Sequence, residues 1–233
     1  MAKTIISQAR GHGSSTYRVR SKIFKYRIQY PRNLSGNGKV IKLISSGAHY
    51  APIAKVQHSE GVFYIPAFNH MYQEQELKFE TDEVKDGNIL RLKNIPVKTK
   101  IYNIESRPND GGRFIRTGGT SGIITRIVGN EVYVLLPSKK EKAFNPECRA
   151  TIGTIAGHGR KEKPFVKAGR KFHLMRTKSK LWPRTSAIKV NAIDHPFGSG
   201  RGKVPKSKIA KRNAPPGAKV GHIRPRRTGR KKK

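Results

Sequence analysis

The chain has 233 residues, 50 Lys and Arg against 14 Asp and Glu, a formal net charge of +36 and a mean hydropathy of −0.66. A compact chain of this length has a radius of gyration of roughly 17 Å, about two screening lengths at physiological salt, so such a charge opposes compaction unless an extended polyanion cancels it, nucleic acid being the commonest. Bilayer-spanning helices are excluded, since no run approaches ~18 apolar residues, and so are internal disulfides and four-cysteine zinc sites, since Cys148 is the single cysteine.

The charge is unevenly spread. Residues 1–59 hold 11 basic side chains and no acid, 60–150 hold 14 basic and 12 acidic, and 151–233 hold 25 basic and two acids, Glu162 and Asp194. A near-neutral centre between basic flanks reads as a folded body with cationic extensions. The start, MAKTIISQARGHG, has no apolar stretch leading to a small-residue cleavage site, so no secretory signal and a cytosolic location are expected.

In chain order, the first flank alternates Tyr17, Phe24, Tyr26 and Tyr30 with Arg18, Arg20, Lys22, Lys25, Arg27 and Arg32. That pattern offers stacking faces for unpaired bases beside charges for phosphates, favouring RNA over duplex DNA. Phe24, Tyr26 and Tyr30 fit equally a first strand facing a core. Strand-like runs follow at 39–45 (KVIKLIS), 51–57 (APIAKVQ) and 61–68 (GVFYIPAF). Glu74, Glu76, Glu80, Asp82 and Glu83 make an acidic patch, read as a solvated face rather than a metal cage.

Further runs at 88–95 (NILRLKNI), 100–106 (KIYNIES), 121–128 (SGIITRIV), 131–137 (EVYVLLP) and 149–156 (RATIGTIA) are separated by turn signals at 86–88, 108–112 and Gly129-Asn130. The Gly-Asn pair predicts a hairpin, since both residues tolerate positive φ. With no helical pattern of 10–15 residues between the runs, small β-barrels fit better than a parallel sheet. Two in tandem, meeting near Leu92 to Lys98, suit the strand number. The glycine cluster TGGTSG at 117–122 fits either a phosphate cradle or a tight β-connection. From Lys178 onward apolar residues are too sparse to offset ordering entropy, so this tail is expected to be disordered alone.

The stretch at 154–173, TIAGHGRKEKPFVKAGRKFH, interleaves glycines with Arg160, Lys161, Lys163, Lys167, Arg170 and Lys171, letting backbone N–H groups approach phosphate while the side chains neutralise it. Farther on, Asp194 and His195 precede a proline and three glycines, a turn that displays an imidazole beside a carboxylate. Half of a nucleophile-activating triad could be seen there, but there is no G-x-S-x-G elbow and Cys148 sits in a strand-like run. No H-E-x-x-H, P-loop or dinucleotide fingerprint occurs either. No enzyme is expected, and His195 is read as a hydrogen-bonding or stacking contact to RNA.

Five stretches together resemble a known family: MAKTIISQARGHGSSTYR, NIESRPNDGGRFIRTGGTSG, PECRATIGTIAGHGRKEKPFVKAGRKFH, NAIDHPFGSG and RNAPPGAKVGHIRPRRTGR. They look like the archaeal and eukaryotic form of the L-two family of large-subunit ribosomal proteins, in order over nearly the whole chain. The resemblance implies an all-β fold: an OB-like barrel (36–91), an SH3-like barrel (92–177), and basic irregular extensions at 1–35 and 178–233. It implies a structural constituent of the large ribosomal subunit, bound to its rRNA near the peptidyl-transferase region, supporting assembly, subunit association and translation. The implied partners are large-subunit rRNA and other ribosomal proteins, with small-subunit contact open and neither membrane nor self-association expected. No cofactor is expected, and nearby Mg²⁺ would belong to the RNA.

The RNA-contact candidates are Arg10, His12, Arg18, Arg20 and Lys22 in the first flank, and Arg113, Arg116 and Arg149 in the body. They continue with the cations of 160–171 already named, then Arg184, Lys189, Asp194 and His195. The last group is Arg201, Lys203, Lys206, Lys208, Lys211, Arg212, Arg224, Arg226 and Arg227. The turn Asp194-His195-Pro196-Phe197-Gly198 looks like the family's deeply inserted loop. Two departures stand out: Ser186-Ala187-Ile188-Lys189-Val190-Asn191 replaces the usual Arg-Gly and Ala-Met-Asn, and Gly198-Ser199-Gly200 replaces three glycines. Lys189 can supply the charge but not a bidentate grip.

Overall fold

A computed structural model describes residues 4–18, 20, 22–198 and 208–226. The chain divides into two compact units, Ser21–Val166 and, in two pieces, Met1–Arg20 with Lys167–Lys233.

The first unit is built mainly of β-strands, with two 3₁₀ turns at Leu92–Asn94 and His158–Lys161. Strands β1 (Gly36–Ile44), β2 (Ile53–His58), β3 (Gly61–Pro66), β4 (Glu76–Phe79), β5 (Ile89–Arg91), β6 (Lys100–Tyr102), β7 (Gly122–Val128), β8 (Glu131–Leu135), β9 (Glu141–Phe144) and β10 (Arg149–Ile152) form one sheet, ordered β3-β2-β1-β4-β5-β10-β6-β7-β8-β9. The eight expected runs all contain strands. The two strands unforeseen from sequence are β4 and β9, whose charged residues Glu76, Lys78, Glu141 and Lys142 conceal short alternations with Leu77, Phe79 and Phe144 inward. Gly129-Asn130 does turn the β7–β8 hairpin, pairing Val128 with Glu131, but only Gly129 takes positive φ, at 53°.

Two hydrophobic cores lie under this sheet. One gathers Val40, Val56, Phe63, Ile65, Leu77, Phe79 and Ile89; the other Leu90, Leu92, Ile95, Ile101, Ile124, Val132, Val134 and Ile152. They share a wall. Successive side chains of a strand point to opposite faces, so β5 sends Ile89 to the first core and Leu90 to the second, while β6 sends Tyr102 to the first and Ile101 to the second. Leu92–Lys98, where the junction is expected, links these two strands, and β10 returns to them from much later in the chain, pairing with both β5 and β6. Cys148, just before β10, is fully buried in the second core.

The boundary expected at 35/36 is displaced because residues 28–34 are drawn onto this unit. Ile28, Tyr30 and Leu34 are buried, Gln29 bridges Tyr64, and the Tyr30 hydroxyl bonds the Thr151 hydroxyl. Of the three aromatics that fitted two roles, Tyr30 is core, Phe24 is 44% exposed, and Tyr26 packs its ring 5.1 Å from Tyr64. Beneath this segment, Arg149 meets Glu105 at 2.8 Å, both side chains buried. Arg149 Nη1 also donates to the carbonyls of Pro31 (2.9 Å) and Arg32 (3.1 Å). Glu105 in turn accepts the backbone N–H groups of Asn109, Gly111 and Arg149.

The second unit carries α1 (Ile6–Gly11), α2 (Ala168–Thr177) and a short parallel pair, β11 (Ile209–Ala210) with β12 (His222–Ile223). The helix α2, expected with the second barrel, groups here and not with the sheet. Among the described residues of this unit, Ile5 and Ala210 are the only buried apolar side chains. With so little apolar surface removed from water, hydrophobic burial contributes little to holding it.

Two outcomes test this arrangement. Arg149→Ala leaves the Glu105 carboxylate buried without its partner and is expected to cost about 3–5 kcal/mol in urea unfolding, whereas Lys78→Ala, which breaks the exposed pair with Glu83, is expected to leave the unfolding midpoint nearly unchanged. Burial also pushes the Cys148 thiol up to about 11 from 9.0. Between those pH values the unfolded chain releases a proton that the folded one retains, so stability falls as pH rises through this window. Denaturation midpoints measured against Cys148→Ala, which lacks the group, are expected to show the wild type losing ground only above about pH 8.

Candidate nucleic-acid interface

The acids of the β unit are largely paired internally. Arg91 bridges Glu80 (3.0 Å) and Glu147 (2.6 Å), Lys93 reaches Glu147 (2.6 Å), Lys78 reaches Glu83 (2.6 Å) and Arg126 reaches Glu141 (3.2 Å). These contacts hold the Glu147 and Glu83 carboxyls below the usual range through hydrogen bonds to their cationic partners. In the second unit 26 Lys and Arg stand against one acid, Asp194. Opposite charge for this unit must come from elsewhere.

Most candidate contacts point outward. Arg10, His12, Arg18, Arg20, Lys22, Arg113, Lys161, Lys163, Lys167, Arg170, Arg184, Lys189, Lys208, Lys211, Arg212, Arg224 and Arg226 are exposed. Arg201, Lys203, Lys206 and Arg227 lie outside the described residues. Three arginines are engaged inside the protein. Arg149, expected on RNA, is 3% exposed and its guanidinium is taken up by Glu105 and two carbonyls; it is a structural residue, because no face of it is left for a phosphate. Arg116 donates to the Ile28 carbonyl at 2.9 Å, and burial lowers its pKa. Arg160 donates through Nε to the Gly118 carbonyl at 3.0 Å and stacks 4.0 Å from the Tyr50 ring centroid.

The cluster at 117–122 is a tight connection. Gly119 N–H donates to the carbonyls of Ile155 and Ala156, and a Cβ on Gly119 would stand 2.5 Å from His158 Cα, so this amide cannot serve a phosphate. Among the described residues no group of three His, Cys, Asp or Glu could hold a metal, and no helix is long and apolar enough to cross a membrane.

The loop of Asp194 and His195 is closed on itself. The amides of Asp194 and His195 donate to the Asn191 carbonyl, and that of Gly198 to the His195 carbonyl. A Cβ on Gly198 would lie 2.3 Å from the Asn191 oxygen, so only glycine fits. His195 Nδ1 accepts the Phe197 N–H at 3.0 Å, the two rings 5.0 Å apart. A triad would need that nitrogen to donate to a carboxylate; here it is an acceptor, which puts the imidazole proton on Nε2. Lys189, in the 3₁₀ turn Ala187–Lys189, is exposed.

Sequence reasoning passed over Trp182, whose indole has Lys171 Nζ 4.2 Å from its centroid, and Arg176 and Lys180 close by. The available signal was a lone tryptophan set among lysines and arginines.

A β body with paired acids, joined to a unit of nearly unopposed positive charge, defines a polyanion-binding structural protein. The profile described as "Ribosomal Proteins L2, C-terminal domain" matches residues 85–217. The chain is 45% identical over 235 residues to the Large ribosomal subunit protein uL2 of Archaeoglobus fulgidus, covering 98% of this chain and 99% of that one. It is 45% identical over 237 residues to that of Methanococcoides burtonii, covering 99% and 100%, and 42% identical over 245 residues to that of Methanocaldococcus jannaschii, covering both chains entirely. The chain belongs to the ribosomal protein L2 family, whose members are structural proteins and not enzymes.

The tautomer is directly measurable. Nitrogen-proton correlation spectra of the neutral His195 ring are expected to show the Nε2–H form, and Gly198→Ala, by forcing the turn open, is expected to lose that preference.

Proposed function

We propose that this protein is a structural constituent of the large ribosomal subunit that binds large-subunit rRNA near the peptidyl-transferase region and supports subunit assembly, subunit association and translation. Its full-length relatives are named as large-subunit proteins. The observation that carries the reading is the separation of charge: paired acids on the β unit, and 26 cations against one acid on the other. The first core is read as an OB-like barrel and the second as an SH3-like barrel, both within residues 21–166. They dock on folded RNA, while the basic segments before and after them take their working shape in clefts between RNA helices. Other ribosomal proteins are neighbours there. The chain brings no cofactor, and Mg²⁺ near it is held by the RNA. His195 serves as an architectural contact, presenting Nε2–H as a donor.

Binding to rRNA fragments is the test. With ten phosphates engaged, the affinity is expected to fall with log salt at a slope of about −7 to −9. Removing one exposed cation such as Lys163 reduces the slope by about 1. A flat salt response overturns the proposal.

A further inference from the structure

We propose that the unit formed by residues 1–20 and 167–233 contains a groove for an unpaired stretch of RNA, with one base held against Trp182 and phosphates met by Arg20, Arg176 and Lys180. This rests on the rRNA-binding reading and specifies what kind of RNA the unit takes. A cavity of about 340 Å³ has Trp182 and Phe172 as its apolar wall, Arg20, Arg176 and Lys180 as its charges, and the Thr16 hydroxyl at its side. A second, of about 330 Å³, shares Lys180 and Trp182 with the first and adds Arg10, Tyr17 and Arg184. A third, of about 640 Å³, shares Arg184 with the second and reaches His195. Adjacent cavities thus share lining residues from Arg20 to His195, the indole borders two of them, and the third also carries the Asp194 carboxylate.

The chemistry of this path selects its occupant. No carboxylate lines the first two cavities, so a cationic ligand is disfavoured and an anion favoured. Aromatic walls beside guanidinium and ammonium groups match a ligand that is both planar and anionic, which is a nucleotide. Lys171 fixes the indole by a cation–π contact at 4.2 Å and adds a further charge at its face. In a duplex the bases are stacked on one another, and only an unpaired base offers its π face. The shared linings favour a strand over a free mononucleotide: Lys180 lines the first two cavities and Arg184 the second and third, positions where successive phosphates of one backbone would lie.

Trp182 is the only tryptophan of the chain, so the intrinsic fluorescence of the full-length protein reports on the groove. It is titrated with a short RNA that cannot pair with itself, with the abasic ribose-phosphate chain of the same length, with duplex RNA of equal phosphate number, and with adenosine monophosphate. Quenching is expected with the unpaired RNA, at much lower concentration than with the mononucleotide, and not with the abasic chain or the duplex. Trp182→Leu is expected to weaken single-strand binding about tenfold or more and to leave duplex binding and its salt slope unchanged. Equal quenching by the abasic chain or the duplex overturns the groove, and so does a mononucleotide that binds as tightly as the strand or a Trp182→Leu protein that binds the strand like the wild type. Should that variant not fold, the wild-type titration decides alone. Steeply salt-dependent RNA binding with silent Trp182 emission defeats the groove and leaves the rRNA-binding reading standing; absence of any RNA binding defeats that reading itself.

Discussion

The buried contact between Glu105 and Arg149 fixes more of this molecule than any other single interaction. Its carboxylate gathers three backbone N–H groups and the guanidinium, and the guanidinium then reaches across to the carbonyls of Pro31 and Arg32. Three segments distant in sequence, the 105–111 loop, β10 and the root of the N-terminal flank, are thereby held at one point. A buried ion pair is a weak source of net stability, because both charges have left water. Its geometry is nonetheless demanding, and residues 31–32 are pinned by it.

That anchoring point also lies beside the wall between the two cores. β5, β10 and β6 pair side by side along this wall, and β5 and β6 each present one face to each core, so neither core closes without strands the other also uses. Tyr30 seals the same region from the N-terminal side, bonding Thr151 of β10, and burial pushes its phenol well above the usual tyrosine range. The β unit therefore behaves as one body in spite of its two cores, which is why its contacts divide from the rest at Ser21 and Val166 and not between the barrels.

The two units divide the physical tasks. In one, acids and bases neutralise each other and apolar side chains supply cohesion. In the other, cations far outnumber acids, and only Ile5 and Ala210 among the described residues are buried apolar side chains. Repulsion among its charges favours whatever brings in phosphates. Turns such as 191–198, closed by their own backbone hydrogen bonds, give local shape without a core. The cavities walled by Trp182, Phe172 and Tyr17 lie in this charged unit, where a base can stack while its phosphate is neutralised.

Much of this was legible in one dimension. Alternation of apolar residues located eight strands, and the distribution of acids separated body from flanks. The strands of the sheet that escaped, β4 and β9, are short and carry charged outer faces, and β11 and β12 have two residues each, so their periodicity spans too few residues to stand out. Family resemblance identified the turn at Asp194–Gly198, but which ring nitrogen of His195 carries its proton depends on the Phe197 amide. Composition cannot separate a phosphate-binding arginine from a structural one. Arg149 and the exposed Arg170 look alike in sequence, and they differ because β10 places Arg149 opposite Glu105, 44 residues earlier. Charge and hydrophobic period are properties of residues and their neighbours, so the sequence alone determined that the protein is β-rich and made for a polyanion. Which cations remain free to meet it depends on contacts between distant residues, and these exist only once the chain has folded.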